Sequence, residues 1–189
     1  MVTVNHFYRP GFGAWWIALA ITATVPAEMH WVMTGELTYL GKFGSPISRL
    51  VLARIAKVYG FTTMPPMPPR PQDVEARARS VKKVLNLVRK TGNTILGLAP
   101  EGGDQTGGWL TAPAPGAGRF GLLLAGSGSA FVPVGAYEAD GSFWLHFGPA
   151  YRLRVPSGLP ADEKDRAAAE VMMKHIAALL PEGLRGNFQ

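Results

Sequence analysis

Apolar residues recur at helical spacing in several segments of the chain, and short β-branched or aromatic runs lie between those segments. The clearest helical pattern covers residues 73–90, where one face carries Val74, Ala78, Val81, Leu85 and Val88. Further helices are predicted over 14–24, 45–59, 120–124 and 162–180. Strands are predicted over 2–4, 29–34, 61–63, 94–98, 130–132, 142–147 and 151–155. This alternation predicts an α/β fold with a mostly parallel central sheet flanked by helices.

Composition narrows the class of protein without naming a partner. A chain of 189 residues fits one domain, 1–189, and 47% hydrophobic against 17% charged residues exclude a disordered chain. The absence of cysteine excludes disulfides, thiolate metal sites and a cysteine nucleophile. A net charge of +6 favours anionic surfaces in general. The basic residues lack the interleaved aromatics and motif spacing of nucleic-acid binders, so we expect no nucleic-acid partner.

Membrane signals are weak. The most apolar stretch, residues 12–27, is shorter than the roughly 20 residues that a spanning helix needs, and it predicts a buried helix. Interfacial contact through Trp15 and Trp16, or through the basic surface of the 73–90 helix, is the alternative. We expect a cytoplasmic protein, with peripheral attachment to the inner face of the membrane left open.

Two polar groups follow predicted strands, at the place where active sites of parallel α/β sheets lie. His6 comes after strand 2–4, with Asn5 before it and a loop rich in Gly and Pro behind it. Glu101 comes after strand 94–98, within the run Pro100-Glu101-Gly102-Gly103. A turn with a solvated glutamate is the alternative for this second group. The other three histidines fall inside predicted strands or a helix and are expected to be structural.

In their order along the chain, Asn5-His6, Pro100-Glu101-Gly102 and Val132-Pro133-Val134 resemble the blocks of the glycerolipid acyltransferase family, of the lysophosphatidic-acid type. The resemblance covers about residues 2–155. It implies lipid metabolism, such as phospholipid biosynthesis, with acyl-CoA or an acyl carrier protein as co-substrate and no separate cofactor or metal. A fatty acyl group would pass from this thioester to a hydroxyl or amine of a lipid-like acceptor.

The resemblance also implies roles for individual residues. His6 would act as general base, and Glu101 would hold the acceptor or shape the loop around it. The remaining candidates would bind substrate: Asn5, Arg9, Trp15, Gly102, Gly103, Asp104 and Arg119. Main-chain N–H groups of the glycine loops would stabilise the oxyanion. Phe12, Trp15, Trp16 and Phe120 would line an acyl tunnel, unless they simply belong to the core.

The sequence also departs from the family pattern. Where the family has an aspartate after the histidine and four intervening residues, this chain has Gly11; Asp104 is one substitute, and Glu28 and Glu36 are weaker ones. The family's phosphate-binding arginines are also missing: Met64 or a proline beside it stands at one position, and Gly103-Asp104 stands where the family has Thr-Arg. Because Arg pairs with phosphate through a bidentate fork, we expect an acceptor other than simple lysophosphatidic acid, with a neutral or amine-bearing head group. A non-catalytic lipid- or acyl-chain-binding relative is the alternative.

Overall fold

The β-branched and aromatic runs form short strands, and the segments with helical spacing form the helices between them. A computed structural model describes residues 1–37, 41–66, 70–91, 94–103 and 107–189. Within these ranges the elements are, in chain order, β1 (Val2–Val4), α1 (Trp15–Thr24), β2 (Met29–Thr34), α2 (Gly41–Tyr59), β3 (Thr62–Met64), α3 (Val74–Lys90), β4 (Ile95–Leu98), α4 (Ala117–Gly126), β5 (Val132–Ala139), β6 (Ser142–Phe147) and α5 (Ala161–Ala177).

The strands form one sheet in the order β3-β2-β4-β1-β5-β6. The neighbours β3 to β5 are all parallel, and β6 returns antiparallel to β5. This arrangement confirms the predicted α/β fold with a mostly parallel sheet. Because parallel strands share their direction, the carboxyl ends of β1 to β5 meet at one edge of the sheet. His6 follows β1 and Glu101 follows β4, so both lie at this edge.

Helices cover both faces of the sheet. Since crossovers between parallel strands are right-handed as a rule, the strand order puts α1 and α2 on one face and α3 and α4 on the other, where α5 packs on α4. On the first face Ile17 and Ile21 pack against strand residues such as Val134, and on the second Val84 and Met172 belong to another core cluster. We call these the α1/α2 face and the α3/α4/α5 face.

Two strand predictions are wrong, one in its existence and one in its extent. Residues 151–155 do not form a strand, and Tyr151 makes only an isolated bridge with Phe131. The predicted strand 130–132 instead runs from Val132 to Ala139, through Pro133. The Pro133 oxygen accepts the N–H of Gly148, the residue after the last residue of β6. The proline nitrogen faces the same side, beyond the end of β6, so its missing N–H removes no hydrogen bond from the β5–β6 ladder.

The start of the second helix is also wrong in the prediction. Ser45 followed by Pro46 is typical of a helix start, but α2 begins at Gly41 and contains Pro46. The Ser45 hydroxyl instead donates to the Leu37 oxygen at 3.0 Å, and the Ser48 hydroxyl accepts the Leu37 N–H at 2.9 Å. These serines therefore bind the preceding loop, and neither caps the helix.

Among the described residues, none of the helices is both long and apolar enough to cross a bilayer.

Candidate functional site

Asn5 fixes the chain directly after β1. Its side chain is buried and exchanges two hydrogen bonds with the main chain of Ala136 on β5: Nδ2 donates to the oxygen at 2.8 Å, and Oδ1 accepts the N–H at 2.7 Å. The amide thus continues the β1–β5 ladder by two residues after the main-chain pairing of Val4 with Val134 has ended. Asn5 therefore fixes the point at which the chain leaves the sheet and enters the loop that carries His6.

Glu101 ties three loops together at the same edge. Its Oε2 accepts the main-chain N–H of His6 at 2.6 Å, and its Oε1 accepts the N–H and hydroxyl of Thr111 at 2.9 and 3.4 Å. The side chain is only 5% exposed. The structure therefore brings His6 and Glu101 together. Since both carboxylate oxygens already accept main-chain hydrogens, these contacts fit the loop-shaping role of Glu101 better than the acceptor-holding role.

Burial sets the electrostatics of this carboxyl group. Loss of solvent raises the pKa of Glu101, while the main-chain donors of His6 and Thr111 and the charge of the His6 side chain act in the opposite direction. His6 itself is half-buried. The cost of burying the carboxylate indicates that its hydrogen bonds to both loops serve the geometry of the site.

The glycines after Glu101 form a turn. Gly102 has φ +74° and its N–H donates to the Ala99 oxygen at 3.2 Å, so in this conformation that N–H does not point to an oxyanion. Gly103 follows it, and Asp104 lies outside the described residues.

Gly11 lies at the position where the family has its aspartate, and the backbone explains the glycine. The Phe12 N–H donates to the Arg9 oxygen at 3.0 Å across Pro10 and Gly11, and Gly11 has φ +79°. Proline followed by a residue with positive φ is the pattern of a type II turn, which favours glycine at the third of its four residues, the position of Gly11. The turn after His6 is therefore built on a residue without a carboxylate.

A shallow groove of about 380 Å³ lies on the α1/α2 face beside this turn. Its lining is mostly apolar with one ion pair, and comprises Arg9, Gly11, Phe12, Trp16, Ala20, Glu138 and Phe143. Arg9 Nε lies 2.8 Å from Glu138 Oε1, and its guanidinium carbon lies 5.7 Å from the centre of the Phe12 ring. We call it the Arg9 groove.

Glu138 is a site residue that was not predicted from the sequence. This residue lies on β5 two positions beyond Ala136, the partner of Asn5, and thus on the same side of the strand. Extending the strand through Pro133 and following its alternation would have found it. The alternation Val134, Ala136, Glu138 places the carboxylate on the α1/α2 face, beside the loop that carries His6.

The other predicted site residues are divided between the two faces. Trp15 stacks on Trp16 with ring centres 4.0 Å apart, and Trp16 lines the Arg9 groove. Phe120 packs in the core of the α3/α4/α5 face, so the sheet separates it from the groove, and for this residue the core alternative is correct. Arg119 also lies on α4, where its guanidinium donates to Asp162 at 3.3 Å and its N–H to Asp165 at 2.6 Å.

A second charged cluster follows β2 at the same edge. Buried Glu36 pairs with Arg49 at 2.5 Å and Arg70 at 2.8 Å, and Arg70 also pairs with Asp73. Hydrogen bonds from the two arginines lower the pKa of Glu36 to about 2. Two carboxylates thus neutralise two guanidinium groups. Glu36 is occupied by these arginines, and Glu28 precedes β2 at the opposite edge, so neither replaces the missing aspartate beside His6.

Neither a family model nor a curated protein sequence matches this chain. Within the described ranges, no three His, Asp or Glu side chains cluster as they would around a metal ion. The geometry around His6 and Glu101 therefore carries the functional argument.

Proposed function

We propose that the protein is an acyltransferase of the glycerolipid type, which moves a fatty acyl group from acyl-CoA or an acyl carrier protein to a lipid-like acceptor. The observation that carries this proposal is the 2.6 Å hydrogen bond from His6 N–H to Glu101 Oε2. It joins two motifs of the family pattern that are 95 residues apart in sequence, at the carboxyl edge of adjacent strands.

His6 is the proposed general base. As the acceptor hydroxyl or amine attacks the thioester carbonyl, the imidazole removes its proton, and a new ester or amide bond forms while the carbon–sulfur bond breaks. The imidazolium then returns the proton to the departing thiolate. A positioned base of this kind contributes roughly 10²–10⁴-fold to the rate. Glu101 is a positioning residue, because its contact is with the main chain of His6.

The Arg9 groove is the proposed site for the substrate's apolar part. Phe12, Trp16 and Phe143 supply aromatic walls, and the Arg9–Glu138 pair supplies the polar end. This polar end has no net charge, and the Glu36 cluster has none either. Both features favour an acceptor with a neutral or amine-bearing head group over one with a phosphate. Both thioester donors are cytoplasmic, which is the location that accompanies this proposal.

The test is acyl transfer from radiolabelled palmitoyl-CoA and palmitoyl-acyl carrier protein to a panel of acceptors. The panel contains monoacylglycerol, an acyl-chain amine and lysophosphatidic acid. We expect labelled product with one of the first two and a loss of about 10²-fold or more in His6→Ala. His146→Ala is the matched control, since His146 is an exposed histidine on β6. Robust turnover of lysophosphatidic acid contradicts the acceptor class, and equal rates in His6→Ala and wild type contradict the mechanism.

One observation favours a second candidate, a non-catalytic acyl-chain-binding protein. The turn at Gly11 offers no carboxylate to orient the His6 ring in the way that the family aspartate does. Such a protein would bind palmitoyl-CoA in a filter assay but release no CoA with any acceptor. In that case Phe143→Ala would weaken binding, and His6→Ala would leave it unchanged.

A further inference from the structure

The outward side of α2 is apolar although it faces solvent. Phe43, Leu50 and Val58 leave 90%, 75% and 73% of their surfaces exposed, and Ile47 and Val51 are exposed between them. Their spacing of three, four or seven residues places them along one side of the helix. These five residues form what we call the α2 stripe. An exposed apolar surface of this extent is typical of an interaction site.

The inward side of α2 explains why the stripe points outward. Ser45, Ser48 and Ala56 are the buried residues there, and the two hydroxyls bind the main chain of Leu37. Phe61 N–H also donates to the Ala56 oxygen. The helix is thus anchored to its own domain by small and polar groups. Rotating the apolar side inward would bury large side chains only by breaking these hydrogen bonds.

Charge identifies the occupant of the stripe. The α2 sequence contains no acidic residue, and exposed Arg54 and Lys57 lie within and beside the stripe. A second copy of the chain placed on this surface would bring like charges together. An anionic lipid surface accepts both features, because apolar side chains insert below the head groups and long basic side chains reach up to them.

The first helix adds aromatic residues to the same side of the protein. Trp15, Trp16 and Leu19 are each about half exposed on α1, which lies on the same face of the sheet as α2. Tryptophan is enriched where hydrocarbon meets head groups. The basic residues of α3 lie on the other face of the sheet, so one flat bilayer cannot contact both surfaces.

We propose that the protein docks on anionic bilayers through the α2 stripe and the exposed tryptophans of α1. The α2 stripe is the part of this surface that the sequence did not predict, since the predicted alternatives were the tryptophans of α1 and the basic surface of α3. Helix α1 alone is uncharged, and α3 turns Val84, Leu85 and Val88 to the core. Docking does not depend on acyl transfer. If the protein is an acyltransferase, docking turns the face with the Arg9 groove towards the lipid.

The test is cosedimentation of the full chain with vesicles of phosphatidylcholine alone or mixed with phosphatidylglycerol. We expect binding to the mixed vesicles that weakens with added salt, and much weaker binding to phosphatidylcholine alone. Val58→Ser should lower the partition coefficient several-fold, and Leu50→Ser with Val58→Ser at least about tenfold. Val74→Ser is the matched control, because Val74 is a 65% exposed valine on α3 that should leave binding unchanged.

Three results would overturn the proposal: no binding of wild type to mixed vesicles, equal loss in the α2 and α3 variants, or a dimer in light scattering that the α2 substitutions dissolve. Thermal melting by circular dichroism checks that the variants fold. We expect them to fold because both replaced side chains face solvent. Hydrolysis or transfer of a short-chain thioester without vesicles separates this proposal from the proposed function. The α2 variants should retain that activity, whereas His6→Ala should lose it.

Discussion

Replacing Glu101 by Gln tests how the two loops at the edge of the sheet are held together. In the wild type each carboxylate oxygen accepts a main-chain N–H, one from His6 and one from Thr111. Glutamine keeps one oxygen and places an NH₂ group where the other was. That group meets an N–H donor, so one loop loses its hydrogen bond and its donor stays unpaired.

The magnitude follows from the burial of this contact. A hydrogen bond to a charged group contributes about 1.5–3 kcal/mol, and removing the buried charge returns part of that amount. We expect a net loss of about 1–2 kcal/mol in the free energy of unfolding. With an m-value of about 2 kcal/mol/M, the urea midpoint falls on the order of 0.5–1 M.

Urea denaturation followed by circular dichroism measures this loss, with Glu138→Gln as control. Glu138 forms a half-exposed ion pair with Arg9, and such pairs contribute only about 0–1 kcal/mol. Equal shifts in the two variants would show that the buried contacts of Glu101 contribute no more than an exposed ion pair. In acyl-transfer assays Glu101→Gln should also lower the rate, because glutamine cannot accept the main-chain N–H groups of both His6 and Thr111.

The pH dependence of the free energy of unfolding provides a second measurement of how Glu101 is held. Because burial raises the pKa of Glu101 above 4.5, the folded chain binds this proton more tightly than the unfolded chain. The wild type therefore loses stability from this group as pH rises above 4.5 through the raised value. The advantage of wild type over Glu101→Gln should narrow across that interval. An advantage that widens there would contradict the raised pKa, because it would mean that the hydrogen bonds stabilise the ionised carboxylate more than burial destabilises it.

Three further predictions concern other parts of the fold. Gly118→Ala should lower the free energy of unfolding by about 1–3 kcal/mol or more, because a methyl group there would overlap the main chain of Asp165. Gly126→Ala on the same helix is the control: its methyl group meets open space, so the variant should be neutral or stabilising in a thermal melt. The pKa of Glu36 is lowered to about 2, so the stability that it contributes is present above pH 4.5 and is lost as pH falls towards 2; Glu36→Gln should show a shallower acid loss in denaturation curves, and an unchanged curve would contradict the two arginine pairs. Gly11→Asp should transfer acyl groups on the order of tenfold faster than Gly11→Asn, since both side chains tolerate the positive φ of the turn but only aspartate restores a carboxylate after His6.

Much of the fold could be predicted from the sequence where local pattern and tertiary environment agree. Strands β1, β2 and β6 have the predicted bounds, and α1 and α3 begin within one residue of them. The sheet edge that carries His6 and Glu101 also follows from the alternation of strands and helices, since each lies directly behind a central parallel strand. The bond between them, however, uses the main chain of His6, which no pattern of residue types indicates.

The sequence could not predict features that depend on long-range contacts. A helix with apolar residues at Ile47, Leu50 and Val51 is ordinarily expected to bury them, but the hydrogen bonds of Ser45 and Ser48 to the preceding loop turn them outward. Serine followed by proline predicts a helix start, and only the position of the preceding loop shows that the serine binds that loop instead. Glu138 was missed for a similar reason, because its strand continues through a proline whose nitrogen needs no partner.

Chemical rescue is the sharpest test of whether the His6 imidazole acts as the base of acyl transfer. The measurement is the rate of acyl transfer by His6→Gly with increasing free imidazole, with His146→Gly as control. If His6 is the base, His6→Gly is nearly inactive and regains activity saturably with imidazole, while His146→Gly keeps the wild-type rate and does not respond. A His6→Gly variant that transfers acyl groups at the wild-type rate without imidazole would show that this imidazole is not the base.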